Sequence, residues 1–184
     1  MQKLLLHVCC GPDASIPFLD LRDQYDILAF WYDPNIHPEA EYWKRLRAFR
    51  EVAERENITF LEGAYEPDVF FRLVQGHEHE PEKGSRCTIC YSFRMKRAVE
   101  VAVENGCSAW TTSLNISPHK NFETLTAIGT ALAAQHGIPY LAIPFFKKNG
   151  FARSVAYCKE YGIYRQKYCG CVYSETYPEK FQIS

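Results

Sequence analysis

Short apolar runs alternate with amphipathic helical patterns along most of the chain, and this alternation restricts the available folds more than any other feature. Residues 3–8 (KLLLHV) are mostly apolar, as in a strand buried on both faces, and lead into a turn-rich loop at 9–15 (CCGPDAS). The pattern also predicts strands at 25–32, 58–61, 109–114 and 140–143, and helices at 37–56, 67–74, 88–104, 121–135 and 154–160. This order predicts an α/β fold, a three-layer sandwich with a mostly parallel central sheet.

The size and charge of the chain restrict its class. Its 184 residues, of which 47% are hydrophobic, suffice for one packed core, so 1–184 is predicted to be a single domain. With 21 basic and 22 acidic residues, the net charge of −1 gives no bulk attraction to nucleic acid, and RNA binding would need a local basic patch. The N-terminal apolar run is too short for a signal peptide or a membrane span, which predicts a cytoplasmic protein without a membrane partner.

Cysteine is the most informative residue type. The cytosol keeps thiols reduced, so the eight cysteines of this chain indicate metal ligation rather than disulfides. Six of them form three closely spaced pairs: Cys9 and Cys10 (the first pair), Cys87 and Cys90 (the second pair), and Cys169 and Cys171 (the third pair). The other two, Cys107 and Cys158, stand alone and are predicted to be small buried hydrophobic side chains.

Local spacing indicates how each pair is oriented. The second pair has C-x-x-C spacing on a helical turn, which points both thiols the same way, as in iron–sulfur and zinc sites. The third pair flanks Gly170 and shares one side of an extended segment. The adjacent thiols of the first pair are expected to diverge in extended backbone and to serve two different metal centres. Because strand ends lie side by side in a parallel sheet, the three pairs are expected to meet above one edge.

Five segments carry a resemblance to a known family: LHVCCGPDAS, NIHPEAEYWKRL, RCTICYSFRMKRA, TTSLNISPHKN and YRQKYCGCVYS. Together they resemble the cobalamin-independent epoxyqueuosine reductases of the QueH type. The resemblance implies an oxidoreductase that removes the epoxide oxygen from epoxyqueuosine at the anticodon wobble position of tRNA, giving queuosine in the last step of queuosine biosynthesis. It also implies a Rossmann-like, PP-loop (HUP)-like fold. Cysteines stand where glycines and a serine would hold pyrophosphate, so ATP binding is not expected.

The implied deoxygenation takes two electrons and two protons, and protein side chains do not supply electrons at the required potential. We therefore assign Cys10 and the second pair to a [4Fe–4S] cluster, with Asp13 as the candidate fourth ligand because it lies near Cys10 in sequence. Cys9 and the third pair are assigned to an adjacent mononuclear metal, expected to be iron, whose open position would polarise the epoxide oxygen. Cys9 and Asp13 are thus the predicted catalytic residues. The chain has no G-x-G-x-x-G fingerprint, so an external ferredoxin-like or flavodoxin-like donor is expected.

The implied substrate is anionic tRNA containing epoxyqueuosine, whose modified base must be splayed out to reach the metals. Basic side chains that contact phosphate and aromatic or imidazole side chains that contact bases occur near the motifs. The predicted substrate-binding residues are His37, Tyr42, Lys44, Arg45, His119, Arg165 and Lys167.

Three other functions would use the same cysteines. A zinc-stabilised RNA-binding module would use the thiolates structurally and would be colourless. A PP-loop-type tRNA thiolase would carry an iron–sulfur cluster but would also need ATP and a sulfur source, and the missing glycine-rich loop counts against it. A thiol–disulfide oxidoreductase would use the second pair alone and would leave the other four paired cysteines without a role.

Overall fold

The computed structural model describes residues 1–174 and 177. Among these residues the strands are β1 (Gln2–Val8), β2 (Tyr25–Trp31), β3 (Thr59–Glu62) and β4 (Ala109–Thr112). The α-helices are α1 (Gly11–Leu21), α2 (Glu39–Arg55), α3 (Pro67–Leu73), α4 (Ser85–Glu104), α5 (Phe122–His136) and α6 (Gly150–Tyr161). A single 3-10 turn, Ser113–Ile116, follows β4 in this part of the chain. None of the helices described is long and apolar enough to cross a membrane.

The strands form one parallel sheet in the order β3-β2-β1-β4. The central strand is β1, in which Leu5 pairs with Leu28 of β2 on one side and with Trp110 of β4 on the other. The chain builds the sheet outward from β1 through β2 to β3 and then places β4 on the opposite side of β1. The carboxyl ends of β1 and β4 therefore form a switch point of the topology, where open α/β sheets bind their ligands.

Side chains of β1 alternate between two cores, because successive residues of a strand point to opposite faces. Leu4, Leu6 and Val8 pack with residues of α1, α2 and α6. Leu5, on the other face, packs with residues of α4 and α5. The predicted α/β sandwich of three layers around a parallel sheet is therefore confirmed.

The predicted fifth strand is wrong, because this segment forms only a single parallel bridge between Tyr140 and Trp110. The backbone N–H of Leu141 still donates to the carbonyl of Trp110 at 2.8 Å, as a strand residue would. The N–H of Ile143, however, donates to the carbonyl of Leu141 at 2.9 Å. The chain thus turns back on itself instead of continuing along β4.

Helix α4 begins at Ser85, three residues before the predicted start at 88. Gly84 is the N-cap in extended conformation, and its carbonyl accepts the first helical hydrogen bond from the N–H of Thr88 at 3.2 Å. The second pair therefore lies inside the first two turns of α4 and not in a loop before it.

Candidate metal centre

The first pair lies at the switch point of the sheet, directly after β1. Cys10 is extended (φ −169°, ψ 157°) and caps α1, which begins at Gly11. Gly11 allows α1 to approach α2 closely, because a Cβ at this position would lie 2.6 Å from the carbonyl oxygen of Ala48. The first pair and Asp13 thus stand at the N-terminus of a helix, whose positive end favours negatively charged thiolates and carboxylates.

The two thiols of the first pair converge. Their sulfurs are 3.9 Å apart, and the Cys9 thiol donates to Oδ2 of Asp13 at 3.4 Å. Among residues 1–174 and 177, this is the only group of three or more metal-ligating side chains whose ligand atoms all lie within 4.8 Å of one another. The predicted divergence is wrong because β1 ends at Val8 and the backbone bends at Cys9, so the two residues do not continue a straight strand. Sulfurs at this spacing can bind one metal or two adjacent metal atoms, so the convergence fits metal ligation.

Two neighbouring side chains bind this group and were missed by sequence analysis. Ser113, which follows β4, accepts a hydrogen bond from the Cys9 N–H at 3.1 Å and donates to the Cys9 sulfur at 3.4 Å. Gln166 donates from Nε2 to the Cys10 sulfur at 2.8 Å and to Oδ2 of Asp13 at 3.5 Å. Both residues belong to segments that carry the family resemblance, which was the signal available in the sequence. Such outer contacts orient metal ligands and tune the metal they bind.

Cys90 of the second pair interacts with a buried arginine on the same helix. Arg94 forms an ion pair with Asp33, which follows β2, and donates from Nε to the carbonyl of Tyr32 at 3.2 Å. Its charge interacts with Cys90, Cys9 and Cys169. One cysteine from each pair therefore lies within electrostatic range of a single guanidinium.

The third pair reaches the site on an irregular segment after α6. Gly170 between the two cysteines has φ +105°, a conformation that favours glycine. Its carbonyl accepts a hydrogen bond from the backbone N–H of His37 at 2.8 Å. Cys171 is half-buried and Cys169 is exposed. The thiol of Cys169 interacts electrostatically with both cysteines of the second pair, so these two pairs adjoin.

Lys120 lies beside the cysteines and was also missed by sequence analysis, which selected its neighbour His119. Burial by itself lowers the pKa of Lys120, but its electrostatic interactions with Cys9, Cys169, Tyr91 and Asp13 outweigh burial and raise the pKa. Lys120 therefore remains a cation and offsets the charge of the thiolates.

Burial keeps several of the thiols protonated in the absence of metal. It raises the pKa of Cys10 well above the usual range, and the neighbouring Cys9 and Asp13 raise it further. Burial also raises the pKa of Cys90 to about 12, although Arg94 acts in the opposite direction. The pKa of Cys171 is raised mainly by burial and by Cys169. Metal binding must displace these protons.

Metal uptake by the metal-free chain is accordingly expected to increase with pH. The affinity for Co²⁺, a spectroscopic probe of thiolate sites, should rise by about tenfold per pH unit for each proton displaced. Anaerobic Co²⁺ titrations at several pH values, followed by thiolate-to-cobalt absorbance, measure this slope. An affinity that does not change between pH 6 and 8 would contradict the protonated state of the thiols.

Three of the predicted substrate-binding residues lie in the interior. Tyr42 is 2% exposed, and its ring stacks on that of Tyr65 at 3.9 Å between centroids. His37 is also buried, and its ring packs on Phe71 at 4.6 Å. Arg45 is 2% exposed and binds backbone carbonyls of the segment that carries the third pair. Their role in substrate binding remains a prediction.

The other four predicted substrate-binding residues reach the surface. Lys44 and Lys167 are exposed, and the Lys44 ammonium lies 3.8 Å from the centroid of Tyr164. His119 is exposed as well. Arg165 is half-buried and donates to the hydroxyl of Ser154 at 3.1 Å. The role of these four residues in substrate binding also remains a prediction.

Comparison with known proteins identifies the family. The family model described as epoxyqueuosine reductase QueH matches residues 4–177. The chain belongs to this family. It is 39% identical to the epoxyqueuosine reductase QueH of Streptococcus pyogenes serotype M1, over 94% of this chain and 70% of that protein. The QueH of Acinetobacter baylyi is 39% identical, over 100% of this chain and 85% of the relative. The QueH of Thermotoga maritima is 34% identical, over 95% of this chain and 91% of the relative. The predicted family and its oxidoreductase class are thereby confirmed.

Solved structures support the predicted PP-loop (HUP)-like fold. A predicted subunit of a tRNA methyltransferase from Methanocaldococcus jannaschii has a TM-score of 0.59 at 10% identity, covering 85% of this chain and 75% of that one. The U34-tRNA thiolase NcsA of Methanococcus maripaludis, solved with its [4Fe–4S] cluster, has a TM-score of 0.57 at 12% identity, covering 94% of this chain and 61% of that one. These likenesses concern the fold alone, and the cysteine-rich site of this chain fits a metal cofactor on its own geometry.

Proposed function

We propose that this chain is a cytoplasmic epoxyqueuosine reductase that acts on tRNA as one domain. The epoxide takes up two electrons and two protons, both carbon–oxygen bonds break, a carbon–carbon double bond forms, and the oxygen leaves as water. The observation that carries this proposal is the group formed by the first pair and Asp13 at the switch point of a QueH-family chain. Electrons come from an external ferredoxin-like or flavodoxin-like protein.

The proposed metal ligands follow the three pairs. Cys10, Asp13 and the second pair would hold a [4Fe–4S] cluster, and Cys9 with the third pair would hold a neighbouring iron. When bound, the cluster supplies electrons and the iron acts as a Lewis acid on the epoxide oxygen.

The chain itself provides burial, charge and orientation around the ligands. Asp13 and both thiols of the first pair are less than 10% exposed, so their interactions with a metal are only weakly screened by water. The cations Arg94 and Lys120 offset the negative charge that accumulates when several thiols lose their protons. The exposed Lys44, Lys167 and His119 and the half-buried Arg165 are proposed to contact the tRNA around the anticodon.

The test is anaerobic purification and iron–sulfur reconstitution, followed by absorption and EPR spectra and by an assay on tRNA that contains epoxyqueuosine. A brown protein that converts epoxyqueuosine to queuosine with a chemical reductant, detected by mass spectrometry of digested nucleosides, is the expected result. A colourless protein that holds only zinc after reconstitution would favour the RNA-binding module. Activity that requires ATP and inserts sulfur would favour the thiolase.

A further inference from the structure

We propose that Arg45 is a positioning residue that holds the third pair at the metal centre. Arg45 lies on α2, and it is the only charged residue among the buried positions of that helix. Its guanidinium points away from the α2 backbone and into the irregular segment after α6. This proposal rests on the proposed function in one respect: the third pair must bind a metal.

The contacts of Arg45 are directed at backbone carbonyls. Nη2 donates to the carbonyl of Tyr168 at 3.1 Å, and Nη1 donates to the carbonyl of Cys169 at 3.2 Å. Nε donates to Oε1 of Glu41 at 2.7 Å, which fixes the orientation of the side chain. The guanidinium also lies 4.7 Å from the centroid of the Tyr168 ring. A buried cation is stable only when its donors are satisfied, and these contacts satisfy all three nitrogens.

The segment needs such an external partner because it forms neither helix nor strand between α6 and residue 174. Its carbonyls therefore lack the regular partners that a helix or a sheet would supply. Arg45 binds two successive carbonyls, and the N–H of His37 binds the third, that of Gly170. A planar guanidinium can serve two carbonyls in fixed directions, which a lysine ammonium cannot reproduce.

Other contacts attach the same segment on either side of Arg45. Gln166 binds Cys10, and the buried Arg86 donates to the carbonyl of Tyr173 at 3.2 Å. Arg45 lies between these attachments and is bonded to the third pair itself through Cys169. We therefore expect the third pair to move away from the site when Arg45 is lost, while the rest of the sheet and its helices remain folded.

Alkylation of Cys171 in the metal-free chain measures this movement. In Arg45→Gln, the half-buried Cys171 should react at least about tenfold faster with iodoacetamide, because two hydrogen bonds from a charged donor are lost. Cys107, buried in the core beyond α4, serves as an internal reference and should react at the unchanged rate. Arg45→Lys should lie between the parent and Arg45→Gln. The matched control is Arg50→Gln, which removes an exposed arginine of the same helix that binds Glu62.

Two further measurements keep the proposal testable if Arg45→Gln does not fold. In Gly170→Ala, the new Cβ would lie 2.9 Å from Nη1 of Arg45 at a φ of +105°, so the same acceleration at Cys171 is expected. The Co²⁺-loaded Arg45→Gln protein, or Gly170→Ala in its place, should lose thiolate-to-cobalt absorbance relative to Arg50→Gln. The proposal would be overturned by any of three results. These are equal alkylation rates of Cys171 in Arg45→Gln and Arg50→Gln, an equal increase in the alkylation rate of Cys107, or an unchanged cobalt spectrum. Failure of the proposed function would instead appear in the parent chain, as a reconstituted protein without iron.

Discussion

Cys10→Ala is expected to abolish epoxyqueuosine reduction and to prevent formation of the brown cluster. Cys10 is 3% exposed and its sulfur belongs to the group of three ligand atoms that lie within 4.8 Å of one another, so the substitution removes one buried ligand from this group. Losing an outer contact of a metal ligand costs 10- to 100-fold in activity or affinity, and losing a ligand should cost more than about 100-fold. Iron and sulfide analysis, EPR spectra and turnover on epoxyqueuosine-containing tRNA measure the effect.

Cys107→Ala is the matched control for this experiment. Cys107 is a buried cysteine that stands outside the three pairs, as the sequence predicted. Its replacement removes a thiol from the chain but should leave the iron content and the turnover close to those of the parent. A Cys10→Ala protein that keeps the parent's iron content and EPR signal would contradict the role of Cys10 as a ligand.

Arg94→Met is expected to lower the free energy of unfolding by about 3–5 kcal/mol, because it leaves Asp33 buried without its cation. Burial already raises the pKa of Asp33 to about 7, although Arg94 acts against this shift. Without Arg94 the folded-state pKa should rise further. When the pKa of a carboxyl is higher in the folded than in the unfolded protein, the free energy of unfolding falls as pH rises. It falls by about 1.4 kcal/mol per pH unit while the pH lies between the unfolded and the folded pKa. The loss should therefore be larger at pH 8 than at pH 5.

Urea unfolding of the metal-free chain measures this loss without a contribution from metal release. The control is Arg97→Met on the same helix, whose arginine is 40% exposed and pairs with Glu104 at the surface. Arg97→Met should lower the free energy of unfolding by less than about 1 kcal/mol. The double variant Asp33→Asn/Arg94→Met removes both buried charges and should recover part of the stability. An Arg94→Met protein as stable as Arg97→Met at pH 8 would contradict this account.

The candidate metal centre lies where the sheet topology changes direction. The first pair follows the central strand, Ser113 follows β4 and Asp33 follows β2, so three adjacent strands contribute to one site. The second and third pairs arrive from α4 and from the irregular segment after α6. A parallel sheet favours such convergence because the carboxyl ends of its strands share an edge.

Sequence patterns predicted most elements of the fold because each pattern depends on local periodicity. The apolar run at 3–8 falls within β1, and the helical pattern at 37–56 contains α2. The prediction of a fifth strand was wrong because pairing depends on which acceptor the N–H of Ile143 finds, and this is decided by tertiary structure. The convergence of the first pair was missed because the prediction assumed extended backbone through both cysteines, whereas the chain bends at Cys9 after β1 ends.

Residue type does not reveal which side chains of a helix are buried. Arg45 and Tyr42 occur in a helix rich in basic and aromatic residues, and the sequence grouped them with Lys44 as candidates for substrate contact. The helix turns Lys44 to the surface and the other two inward. Gln166 and Lys120 were overlooked, since neither residue type signals metal chemistry by itself.

The sequence by itself determined the alternation of strands and helices, the three cysteine pairs and the family. The first two follow from spacing along the chain, which fixes the direction of side chains within one element, and the family follows from the resemblance of five segments. The tertiary structure decided which side chains meet across elements: Asp13 and Gln166 beside Cys10, and Arg45 behind the third pair. The physical reason is that such contacts depend on how helices pack on the sheet and on which polar groups must be satisfied when they are buried.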